Sequence, residues 1–181
     1  MEQRNMALEA ALDHAKRGFP VIPLFGVFEG KCECEIYRRK PCSSPGKHPR
    51  FRDWLNRASR SPDVIKGWWQ DWPRANVGIV TGERSGILLL DVDLKDDGPE
   101  HLAELEKKYG PLSYTVESIT GSGGRHMLFR YPSDRDIPNK ARFYPGLDTR
   151  SNGGMFVAPG SLHVSGRSYE WEVEHHPDDV P

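Results

Sequence analysis

Asp91 and Asp93 in "GILLLDVDLKDDG" are two carboxylates spaced by one residue, a pattern that bears on chemistry at once. On a strand, alternate side chains share a face, so both acids project together while Val92 turns toward the core. Like charges that close repel each other and call for a cation between them. Two readings are open: a solvated pair capping the helix beyond, or a site for Mg²⁺ or Mn²⁺, ions that favour carboxylate oxygens and carry phosphates. Asp148, in "GLDTRSNGG", supplies the third carboxylate that two-metal phosphoryl or nucleotidyl transfer asks for.

Between these acids lies "TGSGGRHMLFR". Gly121, Ser122, Gly123 and Gly124 make a loop whose backbone amides can approach anionic oxygens closely. It reads equally as a plain hairpin turn. His126 follows at once, placed to donate to a phosphate or else a satisfied structural histidine, and Arg130 shares its face four residues along the strand. "APGSLHVSGRSYEW" sets Ser161 and His163 on one side of an extended segment, followed by Gly166 and Arg167. That pattern suits a triphosphate or a sugar, or a polar hairpin.

The three cysteines crowd into "KCECEIYRRKPCSSPGKHPR". Cys32, Cys34, Cys42 and His48 follow the spacing C-x-C-x₇-C-x₅-H and supply three thiolates and one imidazole, enough for a closed tetrahedral Zn²⁺ site. The segment lacks apolar residues for a core of its own, so a metal would explain how it folds; the other reading is free surface thiols in a flexible loop. Lys31, Arg38, Arg39, Lys40, Lys47, Arg50 and Arg52 surround the cluster, as in a module touching a nucleic-acid backbone.

The elements that must position these groups follow from periodicity and punctuation. Leu8, Ala11, Leu12 and Ala15 recur at helical spacing, and Gly18 ends that helix. "FPVIPLF" is a strand that Pro20 and Pro23 confine to a sheet edge or to irregular pairing. From residue 26 to 54 no periodicity survives, and the stretch reads as a basic Cys/His insertion. Ser61 caps a helix with Pro62 in its first position and an apolar face of Val64, Ile65, Trp68 and Trp69. "ANVGIVTGERSGILLLDVD" reads as a β-hairpin turning between Gly82 and Gly86. "GPEHLAELEKKYG" is a short amphipathic helix whose N-terminus accounts for Asp96 and Asp97. Five strand-length runs follow, giving an α+β fold with an antiparallel or mixed sheet.

Bulk properties bound the reading. The 181 residues suit one compact domain over 1–181, and 36% hydrophobic residues with a net charge of -1 argue for a folded chain. Charge is uneven: residues 31–60 hold nine Lys/Arg against three Asp/Glu, and residues 83–106 hold eight acids against two bases. No apolar run is long enough for a bilayer, and an odd cysteine count argues against a disulfide framework. The expectation is a cytoplasmic protein without a membrane partner.

In this order the pieces resemble the primase-polymerase (Prim-Pol) domain of the archaeo-eukaryotic primase superfamily, the bifunctional DNA primase/polymerase N-terminal type. The resemblance rests on "ALDHAKRGFPVIPL", "GKHPRFRDW", "WWQDWPRANVGIVTG", "SGILLLDVD", "TGSGGRHMLFR", "GLDTRSNGG" and "VAPGSLHVSGRSYEW". It implies an RRM-like catalytic sheet with flanking helices plus a smaller N-terminal α/β subdomain; the Cys/His zinc-binding insertion within that subdomain is read from its own residues, since members of the family differ widely there. By the same resemblance Asp91, Asp93 and Asp148 hold two Mg²⁺ or Mn²⁺ ions. Ser122, Gly123, Gly124 and His126 meet the incoming nucleotide's triphosphate, with Asn76, Arg130, Ser161 and His163 around the nucleotide. Implied partners are a single-stranded DNA template, a primer strand, dNTP or NTP, and a fused or separate helicase. A downstream helical or helicase region, carried by many relatives, is expected to be absent here.

Two rival readings use the same residues. A non-enzymatic RRM-like nucleic-acid binder would expose aromatics on its sheet, in a signature that is missing here. A metal-dependent nuclease would use the carboxylates with less need of the Ser-Gly-Gly-x-His cradle.

Overall fold

The computed structural model describes residues 2–180, and for residues 2–5 the backbone alone. In chain order its elements are α1 (Glu2–Lys16), β1 (Val21–Leu24), β2 (Val27–Phe28), β3 (Lys31–Cys32), α2 (Cys34–Arg38), α3 (Trp54–Arg57), α4 (Pro62–Asp71), β4 (Asn76–Val80), β5 (Ile87–Val92), α5 (Gly98–Tyr109), β6 (Val116–Ile119), β7 (Arg125–Arg130), β8 (Lys140–Tyr144), β9 (Leu147–Arg150), β10 (Met155–Val157) and β11 (Glu170–Trp171). A 3₁₀ turn, Leu94–Asp96, separates β5 from α5. The fold is mixed α+β. It divides into two compact units, Met1–Val80 with Met155–Tyr169, and Thr81–Gly154 with Glu170–Pro181.

The first unit is built on a three-stranded antiparallel sheet in the order β1-β4-β10. Every residue of the central strand β4 is buried, as expected where both edges and both faces are covered. Pro23 sits on the edge strand β1, where a missing N–H costs no ladder bond. On the outer side of that strand lie isolated bridges from Ser59 and Pro49, and the Arg50 N–H donates to Pro23 O at 3.2 Å. The apolar core joins Ile22, Leu24, Ala58, Val80, Val157 and Tyr169. Ala7, Ala11, His14 and Ala15 form the buried side of α1. On α4, Ile65, Trp68 and Trp69 are buried, while Val64 faces solvent. At 100° per residue Val64 falls outside the stripe that Ile65, Trp68 and Trp69 share. Ser61 occupies the N-cap position of α4, but its side chain makes no cap bond.

The second unit is a six-stranded antiparallel sheet in the order β11-β6-β7-β5-β9-β8. Its one α-helix, α5, packs against β5 and β9. Leu90, Val92, Leu102, Met127 and Leu147 are the buried members of the core on that side. At about 1.5–3 kcal/mol for each large apolar side chain fully buried, this layer fixes the register of the central strands.

The hairpin expected over residues 75–93 does not form. β4 and β5 lie in different sheets, and a single bridge, Gly82 to Ile87, closes the turn. Each of the two strands already has a neighbour on both edges, β1 and β10 for β4, β7 and β9 for β5. The Cys/His insertion contains the short hairpin β2–β3 and the five-residue helix α2. Such pieces are too short to register as periodicity.

Candidate active site and metal centre

Register, rather than sequence proximity, assembles the acidic site. Asp91 on β5 lies opposite His126 on β7 on one side and opposite Asp148 on β9 on the other. His126 in turn lies opposite Ser118 on β6. Directly opposed residues of antiparallel strands share a face, so Ser118, His126, Asp91 and Asp148 form one row across four strands. The apolar residues under α5 occupy the alternate positions and the opposite face.

Within that row, His126 Nε2 is 3.6 Å from Asp91 Oδ1, and Ser118 Oγ is 3.4 Å from His126 Nδ1. Ser118 is fully buried and His126 nearly so, whereas the Asp91 side chain keeps 28% of its exposure. The Asp148 carboxylate is held at both oxygens. Oδ1 accepts the Arg142 backbone N–H at 2.6 Å, and Oδ2 accepts from the Arg150 guanidinium at 2.6 Å. Arg150 shares the face of Asp148, two residues along β9. Arg142 reaches its position on the irregularly paired strand β8 with a left-handed backbone, φ 51°. A bulge that re-aims a donor beside an acidic site is a recurrent device.

Asp93 lies one residue beyond β5 in extended backbone, its N–H donating to Gly146 O at 2.8 Å. Its Oδ1 accepts the Lys95 N–H at 3.0 Å and so caps the 3₁₀ turn. The cap is therefore realised at Asp93, and the side chain remains exposed. Asp91 and Asp148 offer hard oxygen donors from adjacent interior strands and Asp93 from just past the end of β5, a donor type that suits Mg²⁺ or Mn²⁺, while their carboxylate oxygens do not converge into a ready three-ligand cluster among the described residues.

The glycine-rich loop joins β6 to β7. Gly123 N–H donates to Thr120 O at 2.8 Å, Thr120 N–H to Gly124 O at 2.8 Å, and the Thr120 and Ser122 hydroxyls are 2.9 Å apart. A Cβ at Gly124 would stand 2.4 Å from Val92 O, so glycine lets the loop rest on the end of β5 beside Asp93. Arg130 is exposed at the far end of β7, paired with Ile87.

Asn76 and Ser161 are placed differently. Both are buried in the first unit with side chains committed to backbone. Asn76 donates to Gly46 O and Leu162 O and accepts from Leu162 N–H, and Ser161 Oγ accepts the Val77 N–H at 2.9 Å. Both side chains thereby brace β4 against the neighbouring loops. His163, half-buried, keeps its ring in a turn with Ser165.

The donor atoms of Cys32, Cys34, Cys42 and His48 all lie within 4.8 Å of one another, the one such His/Cys/Asp/Glu group among the described residues. His48 Nε2 is 3.4 Å from both Cys32 Sγ and Cys42 Sγ. With Zn–S of about 2.3 Å and Zn–N of about 2.0–2.1 Å, a tetrahedral S–Zn–N edge is about 3.5 Å, so the spacing fits zinc. Burial, reinforced by the neighbouring Cys32 and Cys42, pushes the Cys34 thiol up to about 12. Burial also lowers His48, keeping the imidazole in the neutral form a metal needs. The His48 ring packs on Phe25 with centroids 4.6 Å apart, and Phe25 N–H donates to His48 O at 2.9 Å.

Arg50 leaves the basic surface expected around this cluster. Its side chain is almost wholly buried, ion-paired with Glu33, with its guanidinium 4.7 Å from the Phe25 ring centroid and 5.3 Å from that of Trp72. Lys31, Arg38, Arg39, Lys40, Lys47 and Arg52 remain exposed.

The first unit thus carries a partly buried metal-fitting Cys₃His cluster, and the second an antiparallel sheet bearing a row of two acids and a histidine beside a glycine-rich loop. The chain belongs to the family described as bifunctional DNA primase/polymerase, N-terminal, whose profile matches residues 11–181. Primase and polymerase chemistry on DNA, with divalent metals, characterises that family in general. The chain is also similar to a mouse protein named Scm-like with four MBT domains protein 2, 26% identical over 132 residues, covering 65% of this chain and 14% of that protein. It thus spans about a seventh of that relative's length. Among the described residues, no helix is long and apolar enough to cross a membrane.

Ser118, Arg142 and Arg150 are contacts that sequence reasoning missed. Arg150 carries a signal, being two residues from Asp148 on a strand and so on its face. Ser118 and Arg142 carry none, because strand register and a bulge bring them in.

Proposed function

We propose that this chain is a template-dependent nucleotidyltransferase, a DNA primase/polymerase that adds nucleotides to a primer or an initiating nucleotide. The observation that carries the reading is the in-register row of His126, Asp91 and Asp148 across β7, β5 and β9. Asp91, Asp148 and the neighbouring Asp93 would hold two Mg²⁺ or Mn²⁺ ions. When bound, such a pair supplies activation of an attacking 3′-hydroxyl and charge neutralisation on the leaving pyrophosphate.

The protein's own groups do the rest. The Arg142 N–H and the Arg150 guanidinium fix Asp148 with a lone pair left on each oxygen. His126, in the tautomer that accepts from Ser118, carries its proton on Nε2 and presents it beside Asp91. That proton is a ready donor to a phosphate oxygen. The loop amides of Gly123 and Gly124 with Ser122, and Arg130 farther along β7, extend the anionic subsite. Carboxylates, rather than stacking aromatics, occupy the centre of this face, which speaks against a non-enzymatic RRM-like reader. An RRM-like reading of the sheet draws support from the order β9-β5-β7-β6, with α5 crossing between β5 and β6. The segment between β7 and β9 holds the strand β8 where such a fold carries a second helix.

In the first unit, Cys32, Cys34, Cys42 and His48 would hold a structural Zn²⁺, and the exposed cations on that insertion would meet a template backbone. The deciding experiment is extension of a labelled primer on a single-stranded template with dNTPs and Mn²⁺, comparing the native chain with Asp91→Ala. Extension that the variant loses is the expected result. Template degradation without extension by the native chain would replace the reading with a nuclease.

A further inference from the structure

Lys47 and His163 are 116 positions apart in the sequence, and a single buried side chain fixes the loops that carry them. Asn76, 3% exposed on β4, donates from Nδ2 to Gly46 O at 3.0 Å and to Leu162 O at 2.8 Å. Its Oδ1 accepts the Leu162 N–H at 3.0 Å. Lys47 and His163 are the residues that immediately follow these two clamped positions. Gly46 has φ 73°, and a Cβ there would stand 2.7 Å from Val27, so the loop is held in one conformation. Ser161 Oγ pins the other loop by accepting the Val77 N–H.

A third cation joins them through a closed turn. His163 N–H donates to Arg167 O at 2.9 Å and Gly166 N–H to His163 O at 3.0 Å, so Arg167 sits across the turn from His163. His163 Nδ1 accepts the Ser165 N–H at 3.2 Å, which leaves the ring proton on Nε2, free of that turn. Burial, then the fields of Lys47 and Arg167, lower His163. A Cβ at Gly46 would stand 3.4 Å from Leu162 O, so the loops that carry Lys47 and His163 lie side by side. Lys47 and Arg167 are exposed, and neither forms an ion pair among the described residues.

A rigid amide clamp that gathers two uncompensated cations and an imidazole N–H donor works against their mutual repulsion. Such an arrangement is favourable when an anion sits among them. We propose that Lys47, His163 and Arg167 form a phosphate-oxygen binding site in the first unit, with Asn76 as its positioning residue. The source of the phosphate, a nucleotide polyphosphate or a DNA strand, rests on the nucleotidyl-transfer reading; the anion site itself does not.

The test is calorimetric titration of the full zinc-loaded chain, without Mg²⁺ or Mn²⁺, with inorganic tripolyphosphate, dATP and a single-stranded oligodeoxynucleotide. Lys47→Gln, Arg167→Gln and the double variant are compared with the native chain, and zinc content is measured to show that His48 is undisturbed. Each lost cation is expected to weaken tripolyphosphate binding about tenfold. Imidazole ¹⁵N signals of His163 should shift on titration of the native chain. A loss for dATP alone assigns the site to the nucleotide. A loss for the oligonucleotide alone, with the salt slope reduced by about two, assigns it to the strand. Unchanged binding of all three probes by the double variant, or a native chain that binds none, overturns the site. Absent primer extension with intact tripolyphosphate binding would instead remove the nucleotidyl-transfer reading and leave the site standing.

Discussion

His126 on β7 and Asp91 on β5 stand directly opposite each other, with Nε2 3.6 Å from Asp91 Oδ1, while Ser118 holds the other ring nitrogen from β6. The two residues are expected to fail in different ways when changed. Asp91→Asn removes a charge that would hold a metal, an interaction worth several kcal/mol, so extension should fall by about a hundredfold or more through kcat. His126→Ala removes a donor to substrate, and KM for dNTP should rise by about tenfold, with a smaller change in kcat. Steady-state extension kinetics separate the two. Equal losses in kcat alone would mean that His126 does not meet the nucleotide.

Arg150 sets the second prediction. Its guanidinium lies 2.6 Å from Asp148 Oδ2 in a partly exposed pair, so the pair adds about 1 kcal/mol or less to stability. Its larger effect is on the acid. In Arg150→Ala, Asp148 loses both a competing cation and an orienting partner. The Mn²⁺ concentration for half-maximal extension should fall by about fivefold, and kcat should fall with it. Metal titrations of extension rate, with melting temperature as control, read both. A half-saturating concentration that rises would show that Arg150 assists metal binding instead.

These two residues also mark how far the sequence could be read. Acid-x-acid at the end of an apolar run is visible because strand periodicity is local, and the same locality makes α1, α4 and α5 visible. That Asp91 meets Asp148 and His126 depends on register between strands distant in sequence, and register is set by the Leu90, Val92, Met127 and Leu147 layer. The hairpin reading of residues 75–93 failed for the same reason, since a turn signal does not say which strand edges are already taken. Arg50 reads as one basic residue among seven, and only tertiary packing against Phe25, Trp72 and Glu33 removes it from the surface. The Cys₃His cluster was legible from ligand types alone, because a metal site depends on donors more than on periodicity.

Removing the metal gives the third prediction. The native chain should carry one Zn²⁺ per molecule by elemental analysis, and Cys42→Ser should carry much less. The short elements β3 and α2 lack a core of their own, so limited proteolysis should cut between residues 31 and 48 in the variant and in the chelated protein. Each kcal/mol lost lowers the melting temperature by about 2–4 °C for a chain of this length. A zinc-free native chain with an uncut insertion would sink the assignment.

His14 gives a pH dependence with a definite sign. It is buried in α1, and Nε2 donates to Pro159 O at 2.9 Å. Burial, the largest cause, lowers its pKa from the ordinary value despite that hydrogen bond. Above the unfolded-state value of about 6.5 both states are neutral and the contribution to stability is whole. As pH falls below it, the unfolded chain takes up a proton that the native state resists, so stability declines toward the folded-state pKa. His14→Gln keeps a donor for Pro159 but does not titrate. Urea midpoints at about pH 7.5 and about pH 5.5 should therefore drop more for the native chain than for His14→Gln. Both proteins carry the same cysteines and His48, so acid release of zinc cancels in the comparison. Equal drops in the two proteins would show that His14 takes no part in the acid sensitivity.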